Sequence, residues 1–374
     1  MKPFDVYSIF DIDIEKASGS ILWDKKGKKY LDLYGGHAVI SIGHSHPDYV
    51  SSISTQLNKI GFYSNSVKIS LQDELARKLG ESSGYNDYDL FLCNSGAEAN
   101  ENAFKLASFC NGRKKIIAFN SSFHGRTSLA VAATDNSNIV APVNATGNVS
   151  FLPFNDLEQF EKAMDESVSA VIIEGIQGVG GVNIPSAEFL KRIESLCNKY
   201  GALMILDEVQ SGYGRSGKFF AHQWAGVKPH LITVAKGMGN GFPVAGVLIS
   251  PQIQAKKEML GTTFGGNYLA CAAAISVLDV IKKENLIDNA LQAGEYLKAE
   301  LQNISGIKEV RGIGLMIGIE LHDPCAEVRK KLLFEHSIFT GSASNKNTIR
   351  ILPSLAIAKP QLDVFVNALK LSIN

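Results

Sequence analysis

Two side chains in this sequence have the types and setting for covalent chemistry as a pair, Asp207 and Lys236. Asp207 ends the apolar run Ala202-Leu203-Met204-Ile205-Leu206. Lys236 ends the run Leu231-Ile232-Thr233-Val234-Ala235 and is followed by Gly237, Gly239 and Gly241. Short apolar runs bounded in this way read as buried strands of a parallel sheet. In such sheets the ligand sits beyond the carboxyl ends of the strands. A carboxylate there is costly unless it meets a cation or a hydrogen-bond donor. A lysine between an apolar run and glycines is desolvated, which lowers its pKa and frees a neutral amine to act as a nucleophile.

Pyridoxal 5'-phosphate supplies what both groups lack, a ring nitrogen for the acid and an aldehyde for the amine. A competing reading comes from the same stretch. Leu206-Asp207-Glu208 resembles the acidic strand of a nucleotide hydrolase, and Gly212-Tyr213-Gly214-Arg215-Ser216-Gly217-Lys218 nearly spells a P-loop. Phe219 stands where a magnesium-binding hydroxyl is needed, and no strand leads directly into the glycines. Nucleotide hydrolysis is set aside on those two defects.

The elements that must position the pair follow from the rest of the chain. Its 374 residues suffice for two domains with a sizeable core, and 45% apolar with 20% charged residues is ordinary for a soluble enzyme. Lys+Arg and Asp+Glu both number 37, so nothing favours nucleic acid or an anionic membrane. The N-terminal stretch has no signal-peptide core, and no segment has the length of a membrane span. The five scattered cysteines read as reduced thiols of a cytoplasmic protein.

Residues 1–45 form an arm and a small antiparallel unit turning at Lys26-Gly27. His44 and His46 flank a turn that leads into a helix from Asp48, and a structural role is favoured over a metal site. From about Leu71 to Ala270, strand-like runs alternate with amphipathic helices, the pattern of a mostly parallel α/β sheet. Asp89–Cys93 is a strand, Asn94-Ser95-Gly96-Ala97 a tight turn, and Glu98 opens a helix; that order makes an anion site of backbone N–H groups. Phe123-His124-Gly125-Arg126 follows the next strand. There Phe123 suits a flat ring and Arg126 a carboxylate. Glu174 is another acid at a strand tip, expected among the substrate-binding residues. After Ala270 the elements suggest a small α+β domain, with Arg350 between isoleucines as either a rim ion-pair partner or a substrate anchor. The chain is thus divided into a cofactor-binding domain over 46–270 and a second unit of 1–45 with 271–374.

With these residues in view, the chain resembles the class III aminotransferases of pyridoxal-phosphate fold type I, and within them the acetylornithine/succinylornithine and ornithine group. The motifs carrying the resemblance are NSGAEANE, FHGRT, LDEVQSGYGRSGKFFA, AKGMGNGFP and GTTFGGN. It implies that Lys236 bears the cofactor and moves the proton between cofactor and substrate carbons, and that Asp207 keeps the pyridine nitrogen protonated. Val209 and Phe123 would sandwich the ring and Gln210 would bond its phenolic oxygen. Ser95, Gly96 and Ala97 would hold the phosphate, and Thr263 from a partner subunit would complete that site, with Thr262 beside the substrate. Arg126 would bind the α-carboxylate of an N-acylornithine and Arg350 that of glutamate or 2-oxoglutarate. The implied reaction moves the δ-amino group of an N-acylornithine to 2-oxoglutarate in arginine biosynthesis, in a cytoplasmic homodimer.

The chain departs from the resemblance at Val179, where many relatives carry a glutamate that masks the arginine matching Arg350. On that basis Arg350 stays an exposed cation, and N-succinylornithine should serve at least as well as N-acetylornithine. Leu260 and Tyr268 also depart, and His37 stands where ornithine aminotransferases place a tyrosine. Free ornithine, 4-aminobutyrate or another ω-amine is the second enzymatic reading. A non-catalytic regulator on the same fold is the third.

Overall fold

The alternation of apolar runs and amphipathic helices produces three sheets in the computed structural model, which describes residues 1–373. The chain opens with an antiparallel meander of β1 (Ile14–Ser18), β2 (Ile21–Asp24) and β3 (Lys29–Asp32). Its tight turn is closed by Asp24, whose Oδ1 accepts from the backbone N–H groups of Lys26 and Lys28, both at 2.9 Å.

Seven strands then build the large sheet: β4 (Asp89–Cys93), β5 (Lys115–Phe119), β6 (Val149–Leu152), β7 (Val168–Glu174), β8 (Leu203–Asp207), β9 (Leu231–Val234) and β10 (Ala245–Ile249). Their order is β4-β10-β9-β8-β7-β5-β6. The sheet is mostly parallel, as expected, and one strand departs from that direction. β10 runs opposite to both neighbours, β4 and β9. Only residues 235–244 join β9 to β10, too few for the helical crossover that a parallel return requires. The short apolar run therefore comes back as an antiparallel partner.

β7 and β8 are buried at every position, because helices cover both faces of the sheet. Side chains alternate between two cores. Ile172 and Ile205 face Ala99, Ala103 and Phe104 of the helix Gly96–Asn111, while Ile173 and Leu206 face Phe189, Leu190 and Ile193 of the helix Ala187–Tyr200. The long helix Tyr268–Lys283 packs on the helices Pro47–Leu57 and Ser70–Ser83.

The third sheet holds β11 (Ile307–Ile313), β12 (Met316–Leu321), β14 (Gly341–Ser342) and β15 (Thr348–Ile351) in the order β11-β12-β15-β14. The two-residue β13 (Ile338–Phe339) instead pairs in parallel with β3. The C-terminal region is thereby stitched to the N-terminal meander. His44 and His46, the one histidine pair that suggested a metal, bond Asp32 at 2.8 Å and Glu284 at 2.9 Å.

The near-P-loop segment is a structural strap. Arg215 is fully buried and donates from Nη1 to the carbonyls of Leu315 at 3.0 Å and Pro353 at 2.8 Å. Burial pushes its guanidinium down to about 10, with Asp32 opposing the shift. Replacing Arg215 with Leu strands two buried carbonyls where the third sheet meets the large one. Urea unfolding should show a loss of about 3 kcal/mol with an unchanged m-value. A change below about 0.5 kcal/mol, the range of an ordinary surface substitution, would deny the strap its role.

Candidate active site

The site forms where β7, β8 and β9 end level. Glu174 is paired with Asp207, and Asp207 with Thr233. Lys236 follows three residues beyond Thr233, in the short turn Lys236–Met238. Its φ of 45° is a left-handed conformation that costs a non-glycine residue about 1 kcal/mol or more. The surroundings over-determine it. Ser41 Oγ donates to the Gly237 carbonyl at 2.8 Å and Tyr49 OH to the Gly239 carbonyl at 2.6 Å. Asn240 Oδ1 accepts from the backbone of Ser41 at 2.8 Å and Ile42 at 3.0 Å. Burial lowers the Lys236 pKa, with Asp207 and Glu174 opposing the shift and Arg350 adding to it. Asp207 and Lys236 line one cleft of about 380 Å³.

Asp207 is held by three donors. Its Oδ2 accepts from Asn100 Nδ2 at 2.8 Å and His124 Nδ1 at 2.7 Å, and its Oδ1 accepts from Val209 N–H at 3.0 Å. Thr233 Oγ1 donates to Asn100 Oδ1 at 2.8 Å, which fixes the amide so that its NH₂ faces the carboxylate. His124 Nδ1 donates to Asp207, while its Nε2 is buried without a partner among the described residues. Sequence reasoning assigned no role to Asn100 or His124. Asn100 carries a visible signal, a polar residue on a buried helix face otherwise apolar, beside Ala99, Ala103, Phe104 and Ala107.

The opposite wall is the turn before the helix Gly96–Asn111, which starts two residues earlier than the sequence suggested. Ser95 caps it, its Oγ accepting from Glu98 N–H at 3.2 Å. Gly96 and Ala97 place free N–H groups at the positive end of the helix dipole, suited to a phosphate. Close packing demands the small residues. A Cβ on Gly96 would lie 2.7 Å from Val209 Cγ1, and one on Gly125, at φ 141°, would lie 2.7 Å from Ala97 Cβ. Phe123 and Val209 both line the cleft.

Glu174 also lines the cleft but is spent on backbone, accepting from Phe123 N–H at 3.0 Å and Gly178 N–H at 2.9 Å. Arg126 is exposed, lines the cleft and has no hydrogen-bond or ion-pair partner among the described residues. Arg350 corrects an expectation: it is 3% exposed, not an open cation. Strand β15 is covered on both faces, so the arginine between isoleucines points inward. Its Nε donates to the Ser342 carbonyl at 2.5 Å, its Nη1 to Gln210 Oε1 at 3.2 Å and its Nη2 to Tyr34 OH at 3.3 Å. Gln210 stands between this arginine and the cleft. Thr262 and Thr263 do not line the cleft of their own chain. Thr262 Oγ1 accepts from Gly265 N–H at 3.1 Å, and Thr263 is exposed.

A carboxylate steadied by three donors, a desolvated amine and an uncrowded helix N-terminus around one cleft fit pyridoxal 5'-phosphate. Residues 4–373 match the family described as aminotransferase class-III. The chain is a class-III aminotransferase. It is 41% identical to the acetylornithine aminotransferase of Bacillus subtilis, over 99% of this chain and 97% of the relative. Against the acetylornithine aminotransferase of Archaeoglobus fulgidus it is 40% identical, over 96% and 94%. Among solved structures it is similar to the ornithine aminotransferase of Toxoplasma gondii, with TM-score 0.92 and 29% identity over 99% of this chain and 92% of that one. This aminotransferase depends on pyridoxal 5'-phosphate. Among the described residues no helix is long and apolar enough to cross a membrane.

Burial pushes the Glu174 carboxyl up to about 7, with His124 opposing and Asp207 adding to the shift. A carboxyl raised on folding stabilises fully below its unfolded pKa, and that contribution is lost as pH rises through the folded value. Apoprotein stability relative to Glu174→Gln should therefore fall between about pH 4.5 and pH 7, by on the order of 3 kcal/mol, and level off above. Paired urea unfolding across this range checks it; parallel curves for the two proteins would contradict it.

Proposed function

We propose that this aminotransferase moves the δ-amino group of an N-acylornithine to 2-oxoglutarate, giving N-acylglutamate 5-semialdehyde and glutamate, as a step of arginine biosynthesis. The observation that carries the reading is the near full-length identity of about 40% to acetylornithine aminotransferases from a bacterium and an archaeon. The cofactor supplies an electron sink for the carbon that exchanges its amine. Asp207 holds the proton on the ring nitrogen, and the network of Asn100, His124 and Thr233 keeps its carboxylate aimed there. Lys236 Nζ takes the proton from the amine-bearing carbon, a task that desolvation suits because the neutral amine is the base. Phe123 and Val209 bracket the ring, and Ser95, Gly96 and Ala97 bind the phosphate. Arg126, unpaired at the cleft wall, binds the substrate α-carboxylate, and Arg350 takes the carboxylate of 2-oxoglutarate once Gln210 yields. In this reading Glu174 positions Phe123 and the loop carrying Val179.

The enzyme acts in the cytoplasm as a homodimer in which Thr263 completes the phosphate site of a second subunit and Thr262 lies beside its substrate. Thr263 adjoins Phe264, an exposed ring 5.4 Å from exposed Phe62. Such an apolar surface is characteristic of an interface. The division into 46–270 and the remainder belongs to the same proposal, supported by the β3–β13 pairing.

Val179 lines the cleft and brings no charge toward Arg350, so a donor with a second carboxylate is not repelled there. Steady-state kcat/KM for N-succinylornithine, N-acetylornithine and ornithine tests the reading. Both acylated donors should exceed ornithine by at least about tenfold, a difference of about 1.4 kcal/mol, with the succinyl donor at least equal to the acetyl donor. Preference for free ornithine would contradict the function, and a large preference for acetyl would contradict the role given to Val179.

A further inference from the structure

Arg350 is buried, yet no carboxylate lies within ion-pair distance of it among the described residues. What surrounds it is a closed ring of neutral groups. Arg350 donates to Gln210 Oε1 and to Tyr34 OH; the Tyr34 hydroxyl bonds His37 Nδ1; and Gln210 Nε2 donates to the His37 carbonyl at 3.1 Å. The Tyr34 hydroxyl oxygen accepts from the guanidinium, and when the His37 ring is neutral with Nδ1 unprotonated its own proton goes to Nδ1. Only the neutral imidazole with its proton on Nε2 can accept it.

The backbone is built for this contact. Gly35, Gly36, His37 and Ala38 all have φ between 55° and 68°, a left-handed turn that costs His37 and Ala38 about 1–2 kcal/mol each. Asp32 Oδ1 secures its entry by accepting from Tyr34 N–H at 2.9 Å and Gly35 N–H at 2.8 Å. A Cβ on Gly35 would lie 2.9 Å from the Leu352 carbonyl, so the turn is pressed against the end of the segment that carries Arg350. Strain retained at an exposed histidine, over-determined by its surroundings, points to a use for that side chain.

We propose that His37 is a positioning residue for 2-oxoglutarate, holding Arg350 through Tyr34 in the pose that grips a dicarboxylate. Tyr34 keeps Nη2 and the Ser342 carbonyl keeps Nε, while the amide of Gln210 is the one partner an incoming carboxylate displaces. A neutral amide is a weak competitor for a guanidinium, so the exchange favours the carboxylate. The device replaces a carboxylate mask with a neutral latch. It rests on the reading of Arg350 as the dicarboxylate anchor.

The latch is pH-sensitive in one direction. Cations face His37 from each packed element: Arg350 on β15, Lys236 in its turn and, beyond Tyr34, Arg329 on the helix Ala326–Phe334. Burial, then Arg350 and Lys236, lowers the imidazole pKa from its usual value. Protonation at Nδ1 removes the acceptor for the phenol proton and makes the imidazolium compete with Arg350 for the phenol oxygen. The added charge sits on a partly exposed ring and is partly screened, so loss of the contact dominates and dicarboxylate affinity falls as pH drops.

Calorimetric binding of glutarate to the holoenzyme, with KM for 2-oxoglutarate, tests the proposal at pH 8 and pH 5.5. Tyr34→Phe and His37→Gly, the latter relaxing the backbone while deleting the acceptor, should weaken glutarate about tenfold or more at pH 8, as loss of a hydrogen bond to a charged group does. They should raise KM for 2-oxoglutarate in parallel, with the half-reaction of N-acetylornithine, which has no second carboxylate, changed less than about twofold. His37→Asn retains an acceptor near Nδ1 and tolerates left-handed φ. It should bind glutarate like the wild type at pH 8 and lose the weakening that the wild type shows at pH 5.5. Unchanged affinity in Tyr34→Phe and His37→Gly, tighter wild-type binding at pH 5.5, or a pH response surviving in His37→Asn would each overturn the latch. Arg350→Ala separates the two ideas. If it leaves glutarate binding intact, the anchor itself is wrong; if it abolishes binding while the latch variants do nothing, only the latch is wrong.

Discussion

The site depends on the register in which β8 is paired between β7 and β9. That register aligns Glu174, Asp207 and Thr233 at one edge and puts Lys236 just beyond it. Side chains alternate across a sheet, so a slip of one residue would turn Asp207 into the core and bring Glu208 to the cleft. Apolar side chains enforce the pairing. Ile205 and Leu206 face opposite cores, each filled by a different helix, and neither can exchange places without opening a cavity.

Alternation also explains why neighbouring acids have different fates. Asp207 faces the cleft and is steadied by donors that leave it open to a ligand. Glu208 faces away and is consumed by Ser211 Oγ at 2.6 Å, the backbone of Ala221 and His222, and His222 Nδ1 at 2.7 Å. Glu174, buried with two backbone donors, fixes the loop segments on either side of it. Acidic side chains thus serve as open cleft carboxylate, tether and brace, according to the direction in which each strand end points.

Much of this was legible in the sequence because it rests on local signals. The apolar runs before Glu174, Asp207 and Lys236, the Ser95 cap and the glycines at 96 and 125 announce strand ends, a helix start and close approach. The antiparallel β10 was not legible in alternation alone, since strand direction depends on the length of the connection. The inward turn of Arg350 was also hidden. Isoleucines on either side suggested an open face for the arginine, but the pairing of β15 with β12 and β14 buries both faces. Asn100, His124 and Tyr34 act through contacts distant in sequence, which no spacing rule reveals. Motif resemblance named the chemistry; only the coordinates connect Arg350 to Gln210, Tyr34 and His37.

The most direct measurement is to load the enzyme with pyridoxal 5'-phosphate, reduce it with borohydride and locate the modified lysine by mass spectrometry of its peptides. Among the 29 lysines, one stoichiometric adduct is expected, on Lys236 in the wild type, with a sharp loss of retained cofactor in Asp207→Ala. An adduct on another lysine, or undiminished retention without the Asp207 carboxylate, would contradict the claim that these two strand ends grip the same ring.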